Sequence, residues 1–192
     1  MTLILTSPPS VEPLTLSEAK AHLRVDGSDE DTLISSLITA ARVQVETTIR
    51  RAMITQAWTY ALDEWPSQGI VELPLSPLIS LGGIEIYDAD GVPETLDPAA
   101  YEIDKSSTPP RILRKRGFTW ARPGLLAGGI HIDMSVGHGP ATTDVPEPLR
   151  QAVRLMVADW YEHRQPVAFS GEGSIIPDNA MSLLAAYRVA RL

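Results

Sequence analysis

The chain has 192 residues, 44% hydrophobic and 21% charged, with a formal net charge of −8 at pH 7. That balance can bury a real core, which excludes wholly disordered, collagenous and coiled-coil chains. The acidic total excludes generic nucleic-acid binding by the whole surface, and the absence of Cys excludes disulfides, thiolate zinc sites and a Cys nucleophile.

Met1 to Pro9 holds only a short apolar run and no basic n-region, so it does not read as a signal peptide. No apolar stretch has the length to cross a bilayer, and no membrane contact is expected. Helical signals are confined to the two ends of the chain. Thr15-Leu16-Ser17-Glu18 is a capping box that opens a short helix with Leu16, Ala19 and Leu23 on one face. Val25-Asp26-Gly27 breaks that helix. Ser28 is placed to cap the next one, with Asp29, Glu30 and Asp31 at the positive end of its dipole. Ile34, Leu37, Ile38, Ala41, Val45 and Ile49 then recur at helical spacing, which predicts an amphipathic helix of about six turns.

After Met53 the pattern turns to short β-prone runs: 56–62, 70–73, 84–87, 101–103, 111–114 and 129–136. Several alternate apolar and polar residues, as suits a sheet with one wet face. Asp88-Ala89-Asp90-Gly91 reads as a tight turn. Helix returns at Pro146-Glu147-Pro148, with Leu149, Val153, Met156, Val157 and Trp160 as its buried stripe. A Gly- and Pro-rich loop from Gln165 to Pro177 precedes a last helix capped by Asp178, with Met181, Leu184 and Tyr187 on one face. The expected fold class is α+β: a helical core from both chain ends with an inserted antiparallel β unit. The expected parts are 1–54, 55–140 and 141–192.

Motifs for chemistry are sparse. His131, Asp133 and His138 lie close in sequence, but no pair stands at metal-ligand spacing, so they read as surface histidines of a strand and loop. Gly137-His138-Gly139 and Gly171-Glu172-Gly173 lack the remaining elements of a phosphate loop, and no Gly-x-Ser-x-Gly occurs. No catalytic residue, cofactor or metal site is expected. One charge feature is uneven. Residues 105–122 hold Lys105, Arg111, Arg114, Lys115, Arg116 and Arg122 without an acid, so this stretch is +6 and the remainder −14. With Phe118 and Trp120 interleaved, it suits either a nucleic-acid contact, by phosphate neutralisation and stacking, or the acidic surface of a neighbouring copy. The chain's overall charge favours the protein contact. Arg111, Arg114, Lys115, Arg116, Trp120 and Arg122 are the candidate residues.

Several words in fixed order carry a resemblance. They are Leu14-Thr15-Leu16-Ser17-Glu18-Ala19-Lys20-Ala21-His22-Leu23-Arg24-Val25, Asp29-Glu30-Asp31-Thr32-Leu33-Ile34, Ala40-Ala41-Arg42, Glu46 and Arg51-Ala52-Met53-Ile54-Thr55-Gln56-Ala57-Trp58. Val145-Pro146-Glu147-Pro148-Leu149-Arg150-Gln151-Ala152, Trp160-Tyr161-Glu162-His163-Arg164, Pro177 and Leu183-Leu184-Ala185-Ala186-Tyr187-Arg188 follow. Together they resemble the head–tail connector, or adaptor, proteins of long-tailed phages and gene transfer agents.

The resemblance implies a structural, non-enzymatic protein made in the host cytoplasm and placed at the neck of the particle. It implies a ring, dodecameric in the particle, between the portal protein and the stopper or first tail protein. DNA would pass through its channel without sequence specificity. Arg164, Pro177, Tyr187, Arg188, Arg191 and Leu192 are the candidate portal-binding residues, on a tail (165–192) that would be dispensable for folding. For Arg164 and Arg188 the plainer role is pairing with Glu46, Glu162 or helix-end carbonyls. Competing readings are another neck component such as a stopper or tail-completion protein, a DNA-binding accessory factor using 105–122, and a hydrolase with convergent titratable groups in a pocket.

Overall fold

A computed structural model describes residues 1–163 and 176–189. The fold is α+β. It divides into two compact units, one of residues 1–9 and 55–137, the other of 10–54 and 138–192.

The helical unit begins with α1 (Leu16–Leu23), whose capping box forms as the sequence dictates: Glu18 N–H donates to the Thr15 hydroxyl, and Thr15 N–H donates to the Glu18 carboxylate. Helix α2 (Asp31–Ile49) starts two residues later than Ser28 as a cap suggested, with Glu30 at its N-cap. The Ser28 carbonyl accepts from Asp31 N–H, so Ser28 closes a turn before the helix. Both helices end on an arginine in the left-handed region, Arg24 and Arg50, where glycine is the usual solution. Helix α3 (Glu147–Glu162) enters through Pro146 and Pro148, and α4 (Asp178–Leu184) is followed by a 3-10 turn at Ala185–Tyr187. Ile34, Ile38, Ala41, Val45 and Ile49 of α2 meet Leu149, Val153, Met156 and Val157 of α3, and Ile176, Ala180 and Leu184 complete the core.

The β unit holds eight strands: β1 (Thr2–Ser7), β2 (Gln56–Leu62), β3 (Ile70–Glu72), β4 (Leu78–Tyr87), β5 (Pro93–Thr95), β6 (Tyr101–Asp104), β7 (Arg111–Arg114) and β8 (Ile130–Val136). They form a five-stranded sheet, β1-β2-β8-β4-β5, and a three-stranded sheet, β3-β7-β6. The ladders in both sheets are antiparallel. Strand β2 runs against β8 from Gln56↔Val136 to Leu62↔Ile130. Alternation along β8 buries Ile130, Ile132, Met134 and Val136 and turns His131, Asp133 and Ser135 to the other face. The Asp88–Gly91 turn joins β4 to β5, with the Asp88 carboxylate accepting from Asp90 and Val92 N–H groups, each at 2.9 Å.

Residues 1–9, expected with the first helical part, belong to the β unit. Strand β1 pairs with β2 at separations of fifty residues or more, a contact that no local pattern announces. Strand β4 also extends back to Leu78, beyond the run Ile84–Tyr87, through two register shifts against β8.

Candidate functional site

The basic stretch holds the central strand of the three-stranded sheet, β7, and the turn that leaves it. Strand β7 is central there, with Arg111↔Asp104 and Arg114↔Tyr101 as partners on β6. Two cations are consumed locally. Arg111 pairs with Asp104 at 2.7 Å, and Lys105 Nζ donates to the Ile79 carbonyl. Asp104 also accepts from Ser106 and Ser107, and these hydrogen bonds, with Arg111, hold its carboxyl far below the usual carboxylate range.

The remaining cations are presented by a built turn. Phe118 N–H donates to the Lys115 carbonyl at 3.3 Å, and Gly117 between them has φ 86°, the positive value that a type II turn needs at its third position. The Ala100 carbonyl anchors both flanks, accepting from Lys115 N–H at 3.1 Å and from Trp120 Nε1 at 3.3 Å. Arg114 lies across Gly69, whose carbonyl accepts from Arg114 N–H at 2.9 Å. A Cβ at position 69 would approach Arg114 Nε to 3.0 Å. Arg114, Lys115, Arg116, Phe118 and Arg122 are exposed. No ion pair holds Arg114, Lys115, Arg116 or Arg122 among the described residues.

Trp120 differs from the contact role expected of it. It is 5% exposed, its ring lies 4.4 Å from that of Trp65, and its indole N–H is used internally. It is a foundation of the turn and offers no free stacking face. Arg111, tied to Asp104, is likewise not a free cation.

Among the C-terminal candidates, Arg164, Arg191 and Leu192 lie outside the described residues, as does most of the Gln165–Pro177 loop. Pro177 is the N-cap of α4, and Tyr187 is half-buried against the helical core. The Tyr187 carbonyl accepts from Arg51 Nε at 2.6 Å, and Val189 N–H donates to the Ile49 carbonyl, so this segment is fastened to the end of α2. Arg188 is exposed, without an ion pair among the described residues. The last helix is therefore part of the core, which argues against the expectation that 165–192 can be removed from a folded protein.

Several charged groups escaped the sequence reading. Buried Arg42 bridges Glu12 at 2.7 Å and Glu46 at 2.9 Å, and Glu46 also accepts from Met53 N–H at 2.7 Å. Arg150 ties the Glu18 and Glu147 carboxylates to the Pro13 carbonyl. The helical spacings of Arg42 with Glu46 (i,i+4) and of Glu147 with Arg150 (i,i+3) were the sequence signals of these ties. Among the described residues no group of three His, Asp or Glu side chains stands ready to hold a metal ion.

Two comparisons bear on this arrangement. The model of the Phage gp6-like head-tail connector protein family matches residues 13–100. Three solved structures match over 100% of this chain and 97% of theirs. One is the neck of an empty gene transfer agent (GTA) particle computed with C6 symmetry, at 26% identity and a TM-score of 0.84. Residues 13–100 thus resemble the head–tail connector family in sequence, and the whole chain resembles a gene-transfer-agent neck chain in fold.

The other two are the virion of a native gene transfer agent particle, at 26% identity and TM-score 0.82, and the neck of a native GTA particle computed with C12 symmetry, at 25% and 0.82. A sequence comparison with curated proteins gives no match. The family match covers α1, α2 and the first part of the β unit, while the structural matches extend over the whole chain, including the basic turn and α4.

Proposed function

We propose that this chain is a structural adaptor at the head–tail junction of a phage or gene-transfer-agent particle. It assembles as a twelve-membered ring between the portal protein and the stopper or first tail protein, with DNA passing through its channel, and it carries out no catalysis. The observation that carries this reading is the match of the whole chain to chains of gene-transfer-agent necks, at TM-scores of 0.82 to 0.84.

The chemistry of the chain suits that role. Closed rings arise from heterologous contacts, which need two unlike patches on one subunit. The exposed cations at 114–116 and the acidic remainder supply unlike charge. Twelve copies at −8 carry roughly −100, and a channel lined by carboxylates lets DNA slide without adhering. Exposed Arg188, beside the anchored Tyr187, is the portal-facing candidate.

Mass measurement of the purified protein, alone and with the portal protein of its particle, tests the reading. A ring, or a stoichiometric complex with the portal, is expected. A protein that ignores the portal and binds duplex DNA, with affinity falling steeply in salt, would instead make it a DNA-binding accessory factor.

A further inference from the structure

The ring reading leaves open which patches meet. The densest cationic run of the chain is Arg114-Lys115-Arg116, in the β unit, and its densest anionic run is Asp26 to Asp31, in the helical unit. Both are short turns between regular elements. In the acidic turn, Asp31 is engaged by Lys20 at 2.6 Å and Glu30 accepts from the Tyr161 hydroxyl. Lys20 also donates to the Gly27 carbonyl, which braces the loop from behind. Asp26 and Asp29 remain exposed, with no ion pair among the described residues. In the basic turn, the two bonds to the Ala100 carbonyl, the Trp65–Trp120 pair and the Gly69 crossing fix the backbone while its three cations face solvent.

We propose that the Arg114–Phe118 turn of one connector docks on the Asp26–Asp29 turn of the next copy, and that this contact sets the register of the ring. The proposal rests on the adaptor reading. Its occupant is a second copy because each subunit bears both halves of the pair, preorganised and unspent, and a contact between unlike patches propagates from copy to copy until it closes. Preorganisation matters because holding a charged turn in place removes much of the entropy that a surface ion pair otherwise costs. Phe118, 43% exposed at the end of the turn, adds an apolar contact beside the charges. Duplex DNA is the weaker candidate, since six carboxylates (Asp88, Asp90, Glu94, Asp97, Glu102 and Asp104) precede the cationic run in the same unit.

The absence of Cys allows a direct test. A full-length Lys115→Cys/Asp29→Cys protein, assembled with the portal and treated with a short bismaleimide, should give a ladder of covalent dimers and higher species. Either single variant should stay monomeric on a denaturing gel. In parallel, Arg114→Glu/Arg116→Glu and Asp26→Lys/Asp29→Lys should each lower the assembled fraction roughly tenfold, and the quadruple variant should restore it.

A ring that is indifferent to both reversals, or a quadruple variant that fails to restore it, overturns the proposed contact while leaving the adaptor reading intact. So does a ring of normal yield with weakened duplex binding, which assigns the turn to DNA. Failure of the unmodified protein to form a ring or join the portal overturns the adaptor reading itself. Circular dichroism of each variant separates lost contact from lost fold.

Discussion

Buried Arg42 shows how one side chain organises its surroundings. Its guanidinium spans Glu12, in the segment ahead of α1, and Glu46, one turn along α2, while Glu46 holds the Met53 backbone. Replacing it with Met leaves two carboxylates without their cation, and removing one partner of such a cluster typically costs about 3 kcal/mol. We expect Arg42→Met to lower the urea midpoint accordingly, with an unchanged slope. Two titrating groups make stability pH-dependent in the same unit. Glu18 is lowered from 4.5 to about 2, chiefly by the Thr15 N–H donating to it, with Arg150 assisting. Its contribution is complete above 4.5 and is lost as the pH falls towards 2. His138 is held below its ordinary value, about 6.5, by burial and by the Arg51 charge. The unfolded chain therefore takes up a proton that the folded one declines, and stability drops as pH falls below that value. Thermal melts between pH 8 and 3 should show two successive losses, the first removed by His138→Gln and the second reduced by Glu18→Gln.

At the scale of elements, the strand-to-turn segment 111–120 sorts residues of similar type into different roles. Trp120 and Phe118 stand two positions apart, yet one is packed on Trp65 and the other is in solvent. Trp120→Ala should destabilise the β unit by about 3–5 kcal/mol, because it leaves a large cavity, whereas Phe118→Ala should stay within about 0.5 kcal/mol. Denaturation followed by fluorescence of the other tryptophans measures both. Equal effects would mean that the turn is not founded on Trp120.

For the whole molecule, the question is which surfaces are free to meet partners once the core has taken its share. Helix α4 gives Ala180 and Leu184 to the helical core, and the turn after it is tied to α2 through Arg51 and Ile49. Deleting 165–192 should therefore unfold the helical unit, visible as lost helical ellipticity. Arg188→Glu should keep the fold and weaken association with the portal in a pull-down from purified components. A folded truncation would show that the core does not need α4, and full portal binding by Arg188→Glu would remove Arg188 from the portal-facing surface.

The sequence by itself determined the elements whose signals are local. The capping box at Thr15–Glu18, the apolar stripe of α2 and the alternating run of β8 each lie within one element, so the helices, six of the strands and the α+β class were legible. The ordered words that frame the chain also carried the resemblance to head–tail connectors, which the family model matches over residues 13–100. Only the tertiary structure decided what depends on distant partners. Strand β1 exists because β2 accepts it, Trp120 is a foundation because Trp65 and Ala100 lie beneath it, and Arg111 is spent because Asp104 faces it. Charge can be counted along a chain, but whether a charge is free is settled by what folding brings next to it, and here that leaves Arg114, Lys115 and Arg116 pointing outward.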